Sequence, residues 1–391
     1  MTFAQLALVC AVALLGPLLA VQRLAHIPVV IGELAVGIAL GATGLRVLDS
    51  GNSTFAFLAQ VGFALVMFVA GSHVPVRDPA LRSGAGRGVA RAVAIGVLSL
   101  PVAALLAHAF GTSHTALYAV LLTSSSASLI MPALSRVPLS GRAVVEMLPQ
   151  IALADAACIV LLPLVIDPGH VARAALGAVL VLVAGVVVFF LLRWLEQRGI
   201  RRRVHEVSEE NGLAVELRST LALLFGLAAI ATTTHVSIML AGFVLGLAVA
   251  GIGEPRRLTK QVFALTEGLF APIFFVWLGS SLNLREVAQH PSAIVLGLAL
   301  GGSAALVHGA MTLTGQPWSI ALVTSAQLGV PVAAATLGST LHVLGPGENT
   351  AIVLGALVTV GLTATLSGAI AAVATQGAGT RDAARERRST S

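Results

Sequence analysis

The chain has 391 residues, of which 57% are hydrophobic and only 10% charged, with a formal net charge of +6. A soluble domain is about 45–50% apolar and about 25% charged, so this composition excludes a soluble globular enzyme, a disordered chain and a nucleic-acid-binding domain. The class left is an all-α polytopic membrane protein whose positive charge lies in the loops between apolar stretches.

A helix that crosses the hydrocarbon core needs about 20 mostly apolar residues. By that measure thirteen spans follow one another: 3–22, 28–47, 54–74, 88–110, 115–135, 143–166, 171–192, 214–233, 236–252, 262–280, 292–312, 317–341 and 349–374. No cationic residue precedes the first span and no clear cleavage site follows it, so it reads as a retained span. Cys10 and Cys158 both fall in apolar runs and offer neither a disulfide framework nor a cysteine metal site. The organisation expected is a first membrane half at 1–192 with spans one to seven and a cytoplasmic connecting loop at 193–213. A second membrane half at 214–374 and a short disordered cytoplasmic tail at 375–391 complete it. With the C-terminus in the cytoplasm and the N-terminus outside, 20 of the 23 cationic residues lie on the inner side and 3, Arg46, Arg173 and Arg285, on the outer.

The two halves look related. Phe-Val-Ala-Gly-Ser-His-Val-Pro-Val at 68–76 lines up with Val-Trp-Leu-Gly-Ser-Ser-Leu-Asn-Leu at 276–284, an offset of 208. Thr123-Ser124-Ser125 and Thr324-Ser325-Ala326 sit 201 apart, each followed by a proline, Pro132 and Pro331. The offset corresponds to seven spans, an odd number, so equivalent helices run in opposite directions. Inverted repeats with helices broken at mid-membrane are the build of many secondary transporters.

The stretch 23–45, with Pro28, Gly32, Glu33, Gly37, Gly41 and Gly44, resembles the second-span signature of monovalent cation:proton antiporters of the sodium/hydrogen exchanger type, the second cation:proton antiporter family. Residues 57–74 resemble its third span, 269–284 resemble its "LFxPLFFVxxGLxLDL" segment, and 152–165 resemble the span bearing its ion-binding aspartate, here Asp155. The resemblance runs from about residue 20 to 340. It implies a scaffold unit and a mobile core unit, two broken helices crossing in the core, Asp155 taking protons and cations in turn, and homodimerisation through the scaffold. The chain departs from the family pattern at three places. Ala154 precedes the aspartate, residues 286–380 hold no lysine or arginine, and Leu328-Gly329-Val330 replaces the usual Arg-Gly-Glu.

Asp155 is the sharpest signal. A charge at the bilayer centre costs at least ~2.5–3.5 kcal/mol, so such a residue faces a cavity or a partner. The competing reading is a protonated aspartate bonded to a backbone carbonyl. Thr123, Ser124, Ser125, Ser126 and Ser128 weaken their helix ahead of Pro132, and their oxygens are candidates to complete a cation shell. The alternative is close helix packing. Gln327 offers an amide oxygen at the second break. Glu33, Thr324, Ser325 and His308 are accessory candidates, with Glu33 read as structural and His308 as a packed neutral histidine. Glu146 and Glu267 are expected at span ends, and Gly32, Gly37 and Gly41 at close helix contacts. No cofactor is needed, and no metal beyond the transported cation. The reading is therefore a secondary antiporter of the bacterial inner membrane, exchanging protons for Na⁺ or K⁺, electroneutral because Asp155 stands alone. An exporter of an organic solute or anion and a transport-inactive sensor are the competing readings.

Overall fold

The computed structural model describes residues 1–16, 18, 29–74, 76–77, 79–126, 129–130, 142–211, 213–234, 236–253, 256–282, 285 and 291–366, and among these there is no strand. In chain order the helices are α1 (Phe3–Ala13), α2 (Val29–Leu40), α3 (Ser53–Ser72), α4 (Pro79–Ala109), α5 (Thr115–Thr123), α6 (Arg142–Ile166), α7 (Val171–Gln197) and α8 (Ile200–Glu210). There follow α9 (Val215–Thr233), α10 (Ile238–Ile252), α11 (Arg256–Leu265), α12 (Ala271–Ser281), α13 (Pro291–Gly309), α14 (Trp318–Val323), α15 (Gly329–Leu341) and α16 (Glu348–Leu366).

Eight stretches among the described residues are continuous helices long and apolar enough to cross a membrane, and they match eight of the thirteen expected spans. The other five do not contain a continuous helix of that length among the described residues. Two of them, 115–135 and 317–341, are interrupted, while 236–252 holds the 15 residues of α10, 28–47 the 12 of α2 and 3–22 the 11 of α1. The stretch 193–213 is mostly helical: α7 runs on to Gln197, Gly199 turns the chain at φ 67°, and α8 follows. A positive φ is cheap only for glycine, which is why the first helix ends there.

Capping side chains start several of the helices. Thr2 and Gln5 cap α1 reciprocally, Asn52 accepts from Phe55 N ahead of α3, and Ser237 accepts from Met239 N ahead of α10. Polarity is inverted relative to a water-soluble fold. The helix α7 exposes Leu176, Val179, Val183, Val186, Val187 and Phe190, whereas Ser124, Ser125, His308, Ser319 and Thr324 are buried. A continuous apolar outer face needs lipid, since water would leave it unburied.

The chain forms two compact units. The first comprises Met1–Arg77, Pro163–Gln289 and Leu337–Val343. In it α2 lies against α12, and α3 against α10, at glycine distance. A Cβ on Gly37 would run into the Val276 carbonyl, and one on Gly41 into Ser280. The glycine reading of α2 thus corresponds to close backbone packing. A π-turn, Thr266–Phe270, joins α11 to α12. Glu33 is buried on α2 in this unit.

The second unit comprises Asp78–Leu162, His290–Thr336 and Leu344–Ser391. Its helices pack around Ile130, Met147, Ile151, Ile320 and Val323 on one side and Ile95, Val307, Met311 and Ala321 on the other. It contains both interruptions and Asp155. Each unit draws on both halves of the sequence.

Candidate functional site

The first interruption follows α5. Ser124 turns to an extended conformation, φ −66° and ψ 149°, and the described chain becomes helical again at residues 129–130. Hydroxyls compete here for backbone carbonyls: Thr123 Oγ1 donates to Ala119 O at 2.7 Å, which weakens the helix it belongs to. Ser128 and Pro132 lie outside the described residues. The second interruption follows α14, and α15 begins at Gly329. Pro331 stands in the first turn of α15, where a missing N–H costs nothing, so it marks the restart of the helix and not the break itself.

The two interruptions bond to each other inside the second unit. Ser126 N donates to Ala326 O at 2.8 Å, and Ser125 Oγ donates to Thr324 O at 2.8 Å. Ser124 Oγ lies 2.5 Å from Gln327 Oε1 and 2.9 Å from Leu121 O, and its single proton serves one of them at a time. Gln327 N donates to Thr359 Oγ1 of α16 at 3.3 Å. Both α5 and α14 end at this crossing, and the C-terminal ends of helices carry partial negative charge and freed carbonyls. Such a crossing suits a cation.

Asp155 is 6% exposed on α6. It continues the stripe of Met147 and Ile151 by successive helical steps of four, and those two residues pack with Ile130, Ile320, Val323 and Ala326 beside the interruptions. Asp155 thus lies one step of four beyond the residues of α6 that pack beside the interruptions. Of the other candidates, Ser325 Oγ turns back to Leu322 O at 2.6 Å, and Glu33 belongs to the first unit.

His308 is fully buried and bridges both half-helices: Nε2 lies 3.2 Å from Leu122 O and Nδ1 2.9 Å from Thr324 Oγ1. Thr324 Oγ1 also accepts from Gln150 Nε2 at 3.3 Å and reaches Ala321 O at 2.7 Å. An amide nitrogen only donates, so Thr324 has one lone pair and one proton left for His308 and Ala321. If Thr324 donates to Ala321, both ring nitrogens of His308 can donate; if it donates to His308, only Nε2 does. Behind Gln150, Gln316 Nε2 donates to Gln150 Oε1 at 3.0 Å.

Sequence reasoning missed Gln150, Gln316 and Thr359. The signal available was a glutamine in an otherwise apolar span, five residues before the aspartate. Glu146, expected at an interface, is buried and shared by two arginines: Arg91 Nη1 at 3.0 Å and Arg87 Nη1 at 2.8 Å.

Fold and site together define a helical multi-pass membrane protein built around two interrupted helices that bond to each other beside a buried acid. Residues 10–372 match the family described as "Sodium/hydrogen exchanger, transmembrane", and the chain belongs to that family, a family of transporters. Among curated proteins it is 29% identical over 335 residues to the Na(+)/H(+) antiporter NhaS5 of Synechocystis, covering 80% of this chain and 45% of that protein. It is 27% identical over 276 residues to the glutathione-regulated potassium-efflux system protein KefC of Klebsiella pneumoniae, covering 68% of this chain and 43% of that one. The chain spans between 43% and 61% of the length of the curated relatives it matches. Among solved structures, the sodium proton antiporter MjNhaP1 of Methanocaldococcus jannaschii has the same fold, with a TM-score of 0.67 at 16% identity over 95% of this chain and 97% of the other.

Proposed function

We propose that the chain exchanges protons for a monovalent cation, Na⁺ or K⁺, with Asp155 as the group that holds either one. The observation that carries this reading is the bonded crossing of the two interruptions, with Met147 and Ile151 of α6 packed beside it and the buried Asp155 one step of four further along that helix. Hard monovalent cations prefer oxygen ligands, and half-helix C-termini with freed carbonyls supply them in transporters. Thr123, Ser124, Ser125, Ser126 and Gln327 are the proposed oxygen sources on the two interrupted segments, with Thr324 and Ser325 as accessory ones. His308 ties the two interrupted segments together through Leu122 O and Thr324 Oγ1. Glu33 is assigned a structural role in the first unit.

Relatives named for Na⁺ and for K⁺ support a cation as cargo and leave the choice between the two to experiment. Ala154 stands where a second acid would add a charge, so a single carboxylate exchanges one proton for one cation and a full cycle moves no net charge. The protein works in the bacterial cell membrane with its N-terminus outside and its C-terminus in the cytoplasm, as the 20-to-3 split of cationic residues supports. Homodimerisation follows from family resemblance.

The test is exchange in proteoliposomes, scanned over Na⁺, K⁺ and Li⁺ at several pH values, with and without an imposed membrane potential. Asp155→Asn keeps the shape and loses the carboxylate, and it should abolish exchange in a protein that still folds. Undiminished exchange in that variant would remove Asp155 from the cycle. An exchange rate that responds to the imposed potential would refute electroneutrality.

A further inference from the structure

A second polar cluster in the second unit lies at the far end of α5 from the crossing. Glu348, the first residue of α16, has a side chain only 4% exposed. Its Oε1 accepts from Tyr118 Oη at 2.6 Å and lies 2.7 Å from His114 Nδ1, while its Oε2 accepts from Gly345 N at 2.8 Å. A phenol can meet a carboxylate only as a donor, and the imidazole meets it as a donor through Nδ1–H. His114 remains 17% exposed at its side chain, so protons can reach it.

We propose that His114, Glu348 and Tyr118 form a proton-binding site separate from Asp155, and that its occupancy sets how α5 and α16 are held together. Proton uptake by His114 turns a hydrogen bond from a neutral imidazole to the Glu348 carboxylate into a pair of opposite charges, which adds a direct attraction between α5 and α16. The two helices joined here also meet the crossing, α5 at its C-terminal end and α16 at Thr359. Tyr118 precedes Ser124 by six residues, a rise of about 9 Å, and Glu348 precedes Thr359 by eleven, a rise of about 16 Å. Ser124 bonds toward Gln327, and Gln327 N bonds to Thr359, so a shift of α5 against α16 reaches both interruptions.

The other groups near this corner leave the titration to His114. The helix α5 presents Tyr118, α16 presents Glu348, and the last turn of α4 carries His108, which is exposed. The helix α13 carries no ionisable side chain before His308. The consequence for transport rests on the antiport reading; the proton site itself does not.

Tyr118 is the chain's sole tyrosine, so the ultraviolet resonance Raman doublet of the phenol reports this cluster alone. In the purified full chain the doublet ratio should change in a single transition between about pH 5 and 8, the range in which histidine charges. The change should be absent in His114→Gln, which keeps a donor but cannot titrate, and in Glu348→Gln. In proteoliposomes the ratio of exchange rates at pH 6 and pH 8 should differ by about five-fold or more between His114→Gln and the natural chain, the low end of ordinary coupling between sites. A doublet that stays flat in the natural chain overturns the proton site. A doublet that titrates while the rate ratio is unchanged in His114→Gln overturns its coupling to the crossing. A chain with no exchange at any pH fails the antiport reading instead, and the Raman titration still decides whether the proton site exists.

Discussion

Replacing Glu146 by glutamine should loosen the helix that carries Asp155. Glu146 is shared by two arginines of unlike exposure, Arg91 at 5% and Arg87 at 59%. Arg91 also donates through Nε to Thr314 Oγ1 at 2.8 Å and through Nη2 to Thr314 O at 3.4 Å. Glu146→Gln leaves this buried guanidinium facing a hydroxyl, a carbonyl and a neutral amide. Removing one partner of a buried pair costs about 3–5 kcal/mol, and because the glutamine oxygen still accepts one bond, about 3 kcal/mol is expected. Arg87→Met breaks only the exposed contact and should cost about 0–1 kcal/mol. Arg91→Met should fall between, because Glu146 keeps Arg87. Unfolding of the three variants in mixed micelles, titrated with a denaturing detergent, gives the order directly. The reasoning fails if Arg87→Met costs as much as Glu146→Gln, or if Glu146→Gln costs less than about 1 kcal/mol. Asp155 lies nine residues further along α6, so Glu146→Gln should also slow exchange per folded molecule.

Ser125→Ala removes the donor to Thr324 O, and leaving a buried acceptor unmet costs about 1–3 kcal/mol, so the apparent KM for the cation should rise roughly five-fold or more in flux assays. Gly37→Val drives a side chain into the Val276 carbonyl and should leave little folded protein, read as recovery of the monodisperse species by size-exclusion chromatography. Gly86→Ala, at a position with open space around it, is its control and should be silent. A reporter fused after Ser391 should behave as cytoplasmic, and a periplasmic signal there would overturn the orientation.

Much of the membrane build was legible because long apolar runs in a lipid solvent have one outcome, a helix. The interrupted stretches show where that rule loses resolution. Hydropathy continues through residues whose backbone has left the helix: after Gly41 the chain turns at Thr43 and Gly44 with its composition hardly changed. The hydroxyl clusters at 123–126 and 324–325 were legible as interruptions because side-chain oxygens compete for helix carbonyls. Pro331 misled, since a proline marks the neighbourhood of a break equally well from the first turn of the next helix. The polar residues that support the crossing, Gln150, Gln316 and Thr359, were not legible. The meaning of each depends on what faces it from a segment distant in sequence. Glu348, His114 and Tyr118 come from segments about 230 residues apart and have no pattern in common.

The inverted polarity of the fold bears on how such a chain can change over time. On the outer faces of α7, valine, leucine and phenylalanine are interchangeable, because lipid asks only that they be apolar and the neighbouring helix does not touch them. Substitutions there drift at little cost. The oxygens around the crossing have no such freedom: Ser124, Ser125, Thr324 and Gln327 each answer a particular donor or acceptor, and an exchange of one unbalances its partner. The fold itself persists at low identity: MjNhaP1 has it with 16% of residues shared. If the proposed site is right, changes on the outer faces of α7 should leave the ion carried unchanged, and changes at the crossing should not.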